Sequence, residues 1–176
     1  MKAYLYFSEI KKLKVKDLVE KLNSIKPKKL SDLSIKDLIF LENGKPICPG
    51  HGVYIFYDLS KKDGRIAYVG RCESRSFIER IPSHFDIRED AWMNQLITKY
   101  REKKVNDTIP LHKIAKEVLD KYGVVLILFD SETPRECIRK LEGLLRRECK
   151  PYLNPCKPKD SNQDRTVDEL VCAPLN

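Results

Sequence analysis

Six consecutive apolar residues, Val124-Val125-Leu126-Ile127-Leu128-Phe129, stand between Gly123 and Asp130. A surface strand would alternate apolar and polar positions, so an unbroken run of this length suits a strand buried on both faces. It is expected to be the best-protected strand of a sheet. Two further segments, Gly52 to Tyr57 and Arg65 to Gly70, are rich in β-branched and aromatic residues and are separated by the polar stretch Ser60 to Gly64. That pattern predicts a β-hairpin.

Helices fill the intervals. Val15, Leu18, Val19 and Leu22 form an apolar stripe at helical spacing, so this lysine-rich helix leans on something. Ser34 with Asp37, and Ser76 with Glu79, have capping-box spacing; the second of these opens a short helix expected to stop at Pro82. Longer helices are expected at 90–103 and 110–122. Thr133, Pro134 and Glu136 supply an N-cap, a first-turn proline and a capping acid for a helix running to about Cys149, before Pro151. The stretch from Asn43 to Gly52, with turns at Asn43-Gly44 and Pro49-Gly50, reads as a linker. Residues 1–47 then form a basic helical extension, 48–156 the core domain and 157–176 a loose polar tail.

The chain of 176 residues carries 34 basic and 26 acidic side chains, a formal charge of +8. Residues 1–47 contribute 11 bases against 6 acids, +5 of that surplus. A polyanionic partner, DNA among the possibilities, is favoured electrostatically. Lys11, Lys12, Lys14, Arg71 and Arg75 are the candidate nucleic-acid contacts. No run approaches the ~20 apolar residues of a membrane span, and no signal-peptide core follows Lys2. The expectation is an intracellular protein, cytoplasmic or nucleoid-associated, whose six cysteines are free thiols and not disulfides or a zinc site.

Gly52-Val53-Tyr54 and Tyr68-Val69-Gly70-Arg71 are followed in order by Arg80-Ile81-Pro82-Ser83-His84-Phe85, by Glu142, and by Pro151-Tyr152-Leu153-Asn154. From Gly52 to Asn154 this succession resembles the GIY-YIG nuclease superfamily, and the arginine segment is similar to its excision-repair branch. The resemblance implies an α/β (α+β) fold with a small sheet of three antiparallel strands flanked by helices. It also implies catalytic roles for Tyr54, Tyr68, Arg80, His84, Glu142 and Asn154.

Phosphodiester hydrolysis needs an activated water, neutralisation of the pentacovalent phosphate and relief of charge on the leaving oxygen. Tyr54 is a candidate general base if nearby positive charge lowers a phenol whose ordinary pKa is about 10. Tyr68 would position water or phosphate, and Arg80 would clamp the phosphate unless it pairs with Glu79 or Glu73. His84 would receive the proton of Tyr54 or orient it, with His51 the better auxiliary of the remaining histidines. Glu142 lies on the rim of the apolar face of its helix; its partner is a divalent ion, Mg2+ (or Mn2+), or Arg146 at i+4. Asn154 would bond backbone near the site.

One such site hydrolyses one strand. Cutting both at a defined position calls for a homodimer on a palindrome or for two successive events; the helices of 90–122 and the Val15–Leu22 stripe are the candidate dimer faces. Restriction, repair and mobile-element roles stay open. So do a nucleic-acid-binding module that does not cut and a regulatory protein whose basic helix meets an acidic partner.

Overall fold

The computed structural model describes residues 4–39, 41–42, 45–46, 51–61, 65–104, 108–157 and 163–172. In chain order these form β1 (Tyr4–Tyr6), α1 (Phe7–Ile10), α2 (Val15–Ser24), β2 (Lys28–Lys29), two short 3-10 turns, β3 (Leu41–Glu42), β4 (Lys45–Pro46), β5 (Gly52–Asp58), β6 (Arg65–Cys72) and α3 (Phe77–Ser83). There follow α4 (Gln95–Lys103), α5 (Leu111–Lys121), β7 (Tyr122–Leu128), α6 (Arg135–Cys149) and α7 (Val167–Val171). No helix among the described residues is long and apolar enough to cross a membrane.

The sheet is mixed and five-stranded, in the order β1-β7-β5-β6 with β2 also on β7. Its centre is the expected antiparallel trio, β5 pairing with β6 on one side and β7 on the other. The expectation of three strands is corrected at the far edge of β7. There β1 runs parallel against Leu126 to Leu128 and β2 runs antiparallel against Gly123 and Val124. A strand as apolar as β7 cannot leave an edge open to water without exposing unpaired N–H and C=O groups, and the N-terminal segment supplies the missing partners.

Every residue of β5 and β7 is buried. Alternation divides them between two cores. Tyr54, Phe56, Val124, Leu126 and Leu128 face α3, α4 and α5, and Val53, Ile55, Tyr57, Val125 and Ile127 face α2, α6 and α7. A bulge in β6 sets Phe56 opposite Tyr68 but Tyr57 opposite Ile66. It leaves Ala67 outside the β5 ladder, and the Ala67 carbonyl accepts the Leu153 N–H at 2.9 Å.

The stripe of α2 turns inward. Val15, Leu18 and Leu22 are essentially unexposed in the second core, and the Tyr57 hydroxyl donates to the Leu22 carbonyl at 3.0 Å. This removes the stripe as a dimer face, and with β1 and β2 in the central sheet and α2 in its core, residues 4–29 are part of the main fold instead of an attachment. The polar tail is corrected likewise. Thr166 and Glu169 cap α7, and Val167 and Val171 are buried against α6. Leu18→Ala is therefore expected to cost about 2–5 kcal/mol, the range for emptying a packed leucine site, read as a lowered urea midpoint; a loss below about 0.5 kcal/mol, the surface-substitution range, would show that α2 is peripheral.

Several helix ends differ from expectation. Helix α4 begins at Gln95 and not at 90, the residues before it forming turns. Proline 82 lies inside α3, tolerated because it occupies the last turn, where its missing N–H forfeits a single intrahelical bond. Thr133 does not cap α6; its N–H and hydroxyl both donate to the Asp130 carboxylate, at 2.7 and 2.6 Å, and the helix begins after Pro134. Among the described cysteines all are free thiols; Cys48 and the turns at Asn43-Gly44 and Pro49-Gly50 lie outside the described residues.

Candidate active site

Strand β6 is the edge of the sheet opposite β1, and a cleft of about 350 Å³ opens beside it, lined by Tyr54, Tyr68, Arg71, Arg80, Trp92 and Glu142 among others. Four of the six expected catalytic residues thus share one wall. His84 stands behind Tyr54, and Asn154 holds the strand.

Tyr54 reaches the cleft because its cross-strand partner is a glycine. Tyr54 and Gly70 are paired in register, and a Cβ built on Gly70 would lie 2.3 Å from the Tyr54 hydroxyl oxygen. The phenol ring therefore lies over the β6 backbone. Gly52, at the start of the same strand, is required for a similar reason: a Cβ there would meet the Ile127 carbonyl oxygen at 1.9 Å. Gly70→Ala is expected to displace the Tyr54 hydroxyl and lower turnover about a hundredfold, the effect of an ångström-scale misplacement. Full activity of this variant would show that the hydroxyl's position is immaterial.

The Tyr54 hydroxyl lies 2.8 Å from His84 Nε2, and His84 Nδ1 accepts the Leu96 backbone N–H at 3.1 Å. A backbone N–H can only donate, so Nδ1 carries the lone pair and the neutral ring holds its proton on Nε2. His84 is then the donor and the Tyr54 oxygen the acceptor. Of the two roles expected for His84, proton receipt from Tyr54 would need the other tautomer and the loss of the Leu96 bond; orientation is the role this geometry serves.

Charge follows burial. His84 is unexposed, and burial, helped by the nearby Arg80 charge, holds its pKa well below the ordinary histidine value. Burial, then Tyr68, pushes the Tyr54 phenol well above 10, while Arg80 pulls it back. His51 is lowered too, by burial and then Arg135. Unfolding lets both histidines protonate near pH 6.5, whereas the folded chain keeps them neutral to lower pH. The unfolded state binds more protons in that window, so stability is complete above about pH 6.5 and falls as pH drops through it. A urea midpoint lower at pH 5.5 than at pH 8 is expected; equal midpoints would contradict neutral, buried histidines.

Arg80 projects from the last turn of α3, where its Nη1 donates to Ser83 Oγ and to the Met93 carbonyl, both at 2.9 Å. The carboxylates expected to compete for it are engaged elsewhere. Glu79 accepts the Ser76 N–H and hydroxyl at 2.8 and 2.6 Å, and Glu73 takes Arg71 and Arg139 at 3.1 and 2.6 Å.

Glu142 is 7% exposed and meets two arginines. Its Oε1 lies 3.3 Å from Arg146 Nη1, the expected i+4 pair, and its Oε2 lies 2.7 Å from Arg71 Nη1. The Arg71 contact spans 71 positions, and no periodicity signals it. Asn154 accepts the Val69 N–H at 3.1 Å and donates to the Val69 carbonyl at 2.6 Å, closing the outer edge of β6 as a backbone mimic. The turn that brings it there passes through Lys150, whose φ of 48° is left-handed and ends α6.

Of the nucleic-acid candidates, Arg71 and Arg75 line the cleft, whereas Lys11, Lys12 and Lys14 do not. These lysines flank the junction of α1 and α2, where the Lys11 and Leu13 carbonyls accept N–H groups of Asp168 and Val167. Trp92 and Met93 complete the cleft from the turns before α4, a segment expected to be helical, and sequence reasoning singled out neither as a site residue. No protein-family model, curated protein or solved structure matches the chain.

Proposed function

We propose that this chain is a metal-dependent endonuclease that hydrolyses phosphodiester bonds in DNA. The observation that carries the reading is the convergence on one cleft of a histidine-held tyrosine hydroxyl, an arginine fork and a carboxylate drawn from β5, α3 and α6. The ordered resemblance from Gly52 to Asn154 to the GIY-YIG superfamily supports it, as does the formal charge of +8.

Arg80 binds the phosphate with the N–H groups that Met93 and Ser83 leave over, its Nη1 being anchored by both. Water attacks phosphorus, its proton passes to the Tyr54 oxygen, and the bond to the leaving sugar oxygen breaks. Tyr54 must be ionised to accept that proton. The His84 Nε2–H stabilises the phenolate as a donor, and Arg80 supplies positive charge to which a bound ion would add. Tyr68, whose hydroxyl faces the same cleft, orients water or phosphate.

Glu142 would be the ligand of a hard divalent ion, its two oxygens giving up Arg71 and Arg146 for the ion; no cluster of three or more potential ligands stands among the described residues, and Mg2+ or Mn2+ can be held by one or two carboxylates with water and substrate oxygens completing the shell. When bound, such an ion supplies charge neutralisation at the phosphate and leaving oxygen. Arg71, which also pairs with Glu73, would then be free of Glu142 to meet the DNA backbone.

Supercoiled plasmid incubated with Mg2+ or Mn2+ tests the function. Cleavage that chelator abolishes is the expected result. Linear product formed without open circles, at a rate rising more than linearly with enzyme, identifies a dimer of restriction type. Nicked circles formed at first order in enzyme identify a monomeric nicking or repair nuclease. DNA binding without any cleavage in either metal would leave a nucleic-acid-binding module.

A further inference from the structure

Trp92 is the single tryptophan of the chain and is 74% exposed at the wall of the cleft. A lone exposed apolar residue is ordinary in a folded protein; this one is held in place. The Trp92 carbonyl accepts Gln95 Nε2 at 2.9 Å, and the Asn94 side chain, 3% exposed, donates to the Asp86 and Arg88 carbonyls at 3.0 Å each. Between them, the Met93 carbonyl accepts Arg80 Nη1. The backbone that carries the indole is thereby tied, through one neighbouring residue, to the arginine assigned to the phosphate. The Arg75 guanidinium stands 5.9 Å from the ring centroid, within cation–π range.

An open indole face with a cation beside it, at a fixed offset from a phosphate clamp, matches a nucleobase attached to that phosphate. Base faces inside an intact duplex are covered by their neighbours; only an unpaired or extruded base presents one. We propose that Trp92, backed by Arg75, is a stacking platform for an unpaired nucleobase flanking the phosphate held by Arg80. The substrate class is then nucleic acid carrying a single-stranded, flap or flipped nucleotide at the cut. This rests on the nuclease reading for its phosphate position.

Because the chain has one tryptophan among eight tyrosines, emission excited to the red of tyrosine absorption reports on this site alone. The full chain is titrated in chelator with a short single-stranded oligonucleotide and with an intact duplex of the same sequence, while dye anisotropy follows binding independently. Saturable quenching by the single strand and little change with the duplex are expected. Trp92→Ala weakens single-strand binding by roughly tenfold, within the range for losing one base–aromatic stack, and Trp92→Phe restores most of it. Single-strand binding with unchanged emission, equal quenching by duplex, or a Trp92→Ala variant that binds like the parent each overturn the platform. Binding and quenching without cleavage in Mg2+ keep the platform and overturn the nuclease. Absence of binding to either nucleic acid overturns both.

Discussion

Glu142→Gln is expected to abolish cleavage and to leave DNA binding nearly intact. The substitution keeps the shape of a side chain that is 7% exposed but removes the charge that would anchor the divalent ion. Loss of several kcal/mol of charge neutralisation in the transition state corresponds to a fall of about a thousandfold or more in single-turnover rate. Removing one member of a buried ion pair ordinarily destabilises strongly because the other charge is stranded. Here the two partners can reach water, Arg71 and Arg146 having 39% and 31% of their side-chain surface exposed. Both cations remain available to phosphates, so affinity measured by filter binding is expected to hold while product formation disappears. Parent-like turnover of Glu142→Gln in magnesium would eliminate Glu142 as the essential ligand.

Tyr54→Phe is expected to lower the rate by several orders of magnitude, a general base contributing typically about 10²–10⁴-fold. The ring still packs, but the variant leaves the His84 Nε2–H, paired with the phenol at 2.8 Å, without an acceptor in the core. That orphaned donor costs about 1–3 kcal/mol of stability, so activity and folding must be measured together. The pH profile separates catalysis from damage. Burial places the free phenol well above 10, so the parent rate should climb across neutral and mildly alkaline pH as the phenolate fraction grows, and the variant's residual rate should lose that slope. Tyr68→Phe provides the comparison: an inactive Tyr68→Phe beside an active Tyr54→Phe would reverse the assignment of the base.

Long, periodic elements were legible. The apolar run of β7 and the β-branched hairpin of β5 and β6 announce strands buried on both faces, and the apolar face of α6 announces its helix, because each pattern matches what the element buries. Strands of two or three residues, such as Lys28–Lys29 and Tyr4–Tyr6, carry too few positions for a period and owe their conformation to the open edge of β7. The stripe of α2 was visible, but the surface it covers was not. In the tail, Thr166 with Glu169 has capping-box spacing ahead of Val167 and Val171, a signal outweighed by the polar residues before it.

The order of site residues was legible in the same way, while their pairings were not. Tyr54, Arg80 and Glu142 could be named along the chain. That Gly70 makes room for the Tyr54 ring, that Leu96 fixes the His84 tautomer and that Arg71 covers Glu142 are facts of register and long-range contact. Asn154 is intermediate, since its backbone-bonding role follows from its amide chemistry and only its partner, Val69, needed the fold.

The central claim is that this cleft directs water, through Tyr54, onto a phosphodiester. A single-turnover reaction with a DNA substrate in ¹⁸O-labelled water and magnesium, followed by mass spectrometry of the new terminal phosphate, tests it directly. The account predicts one labelled oxygen in that phosphate, formed by the parent and not by Tyr54→Phe. Intact substrate, or a cleaved strand joined covalently to a tyrosine with no label in its phosphate, would contradict it.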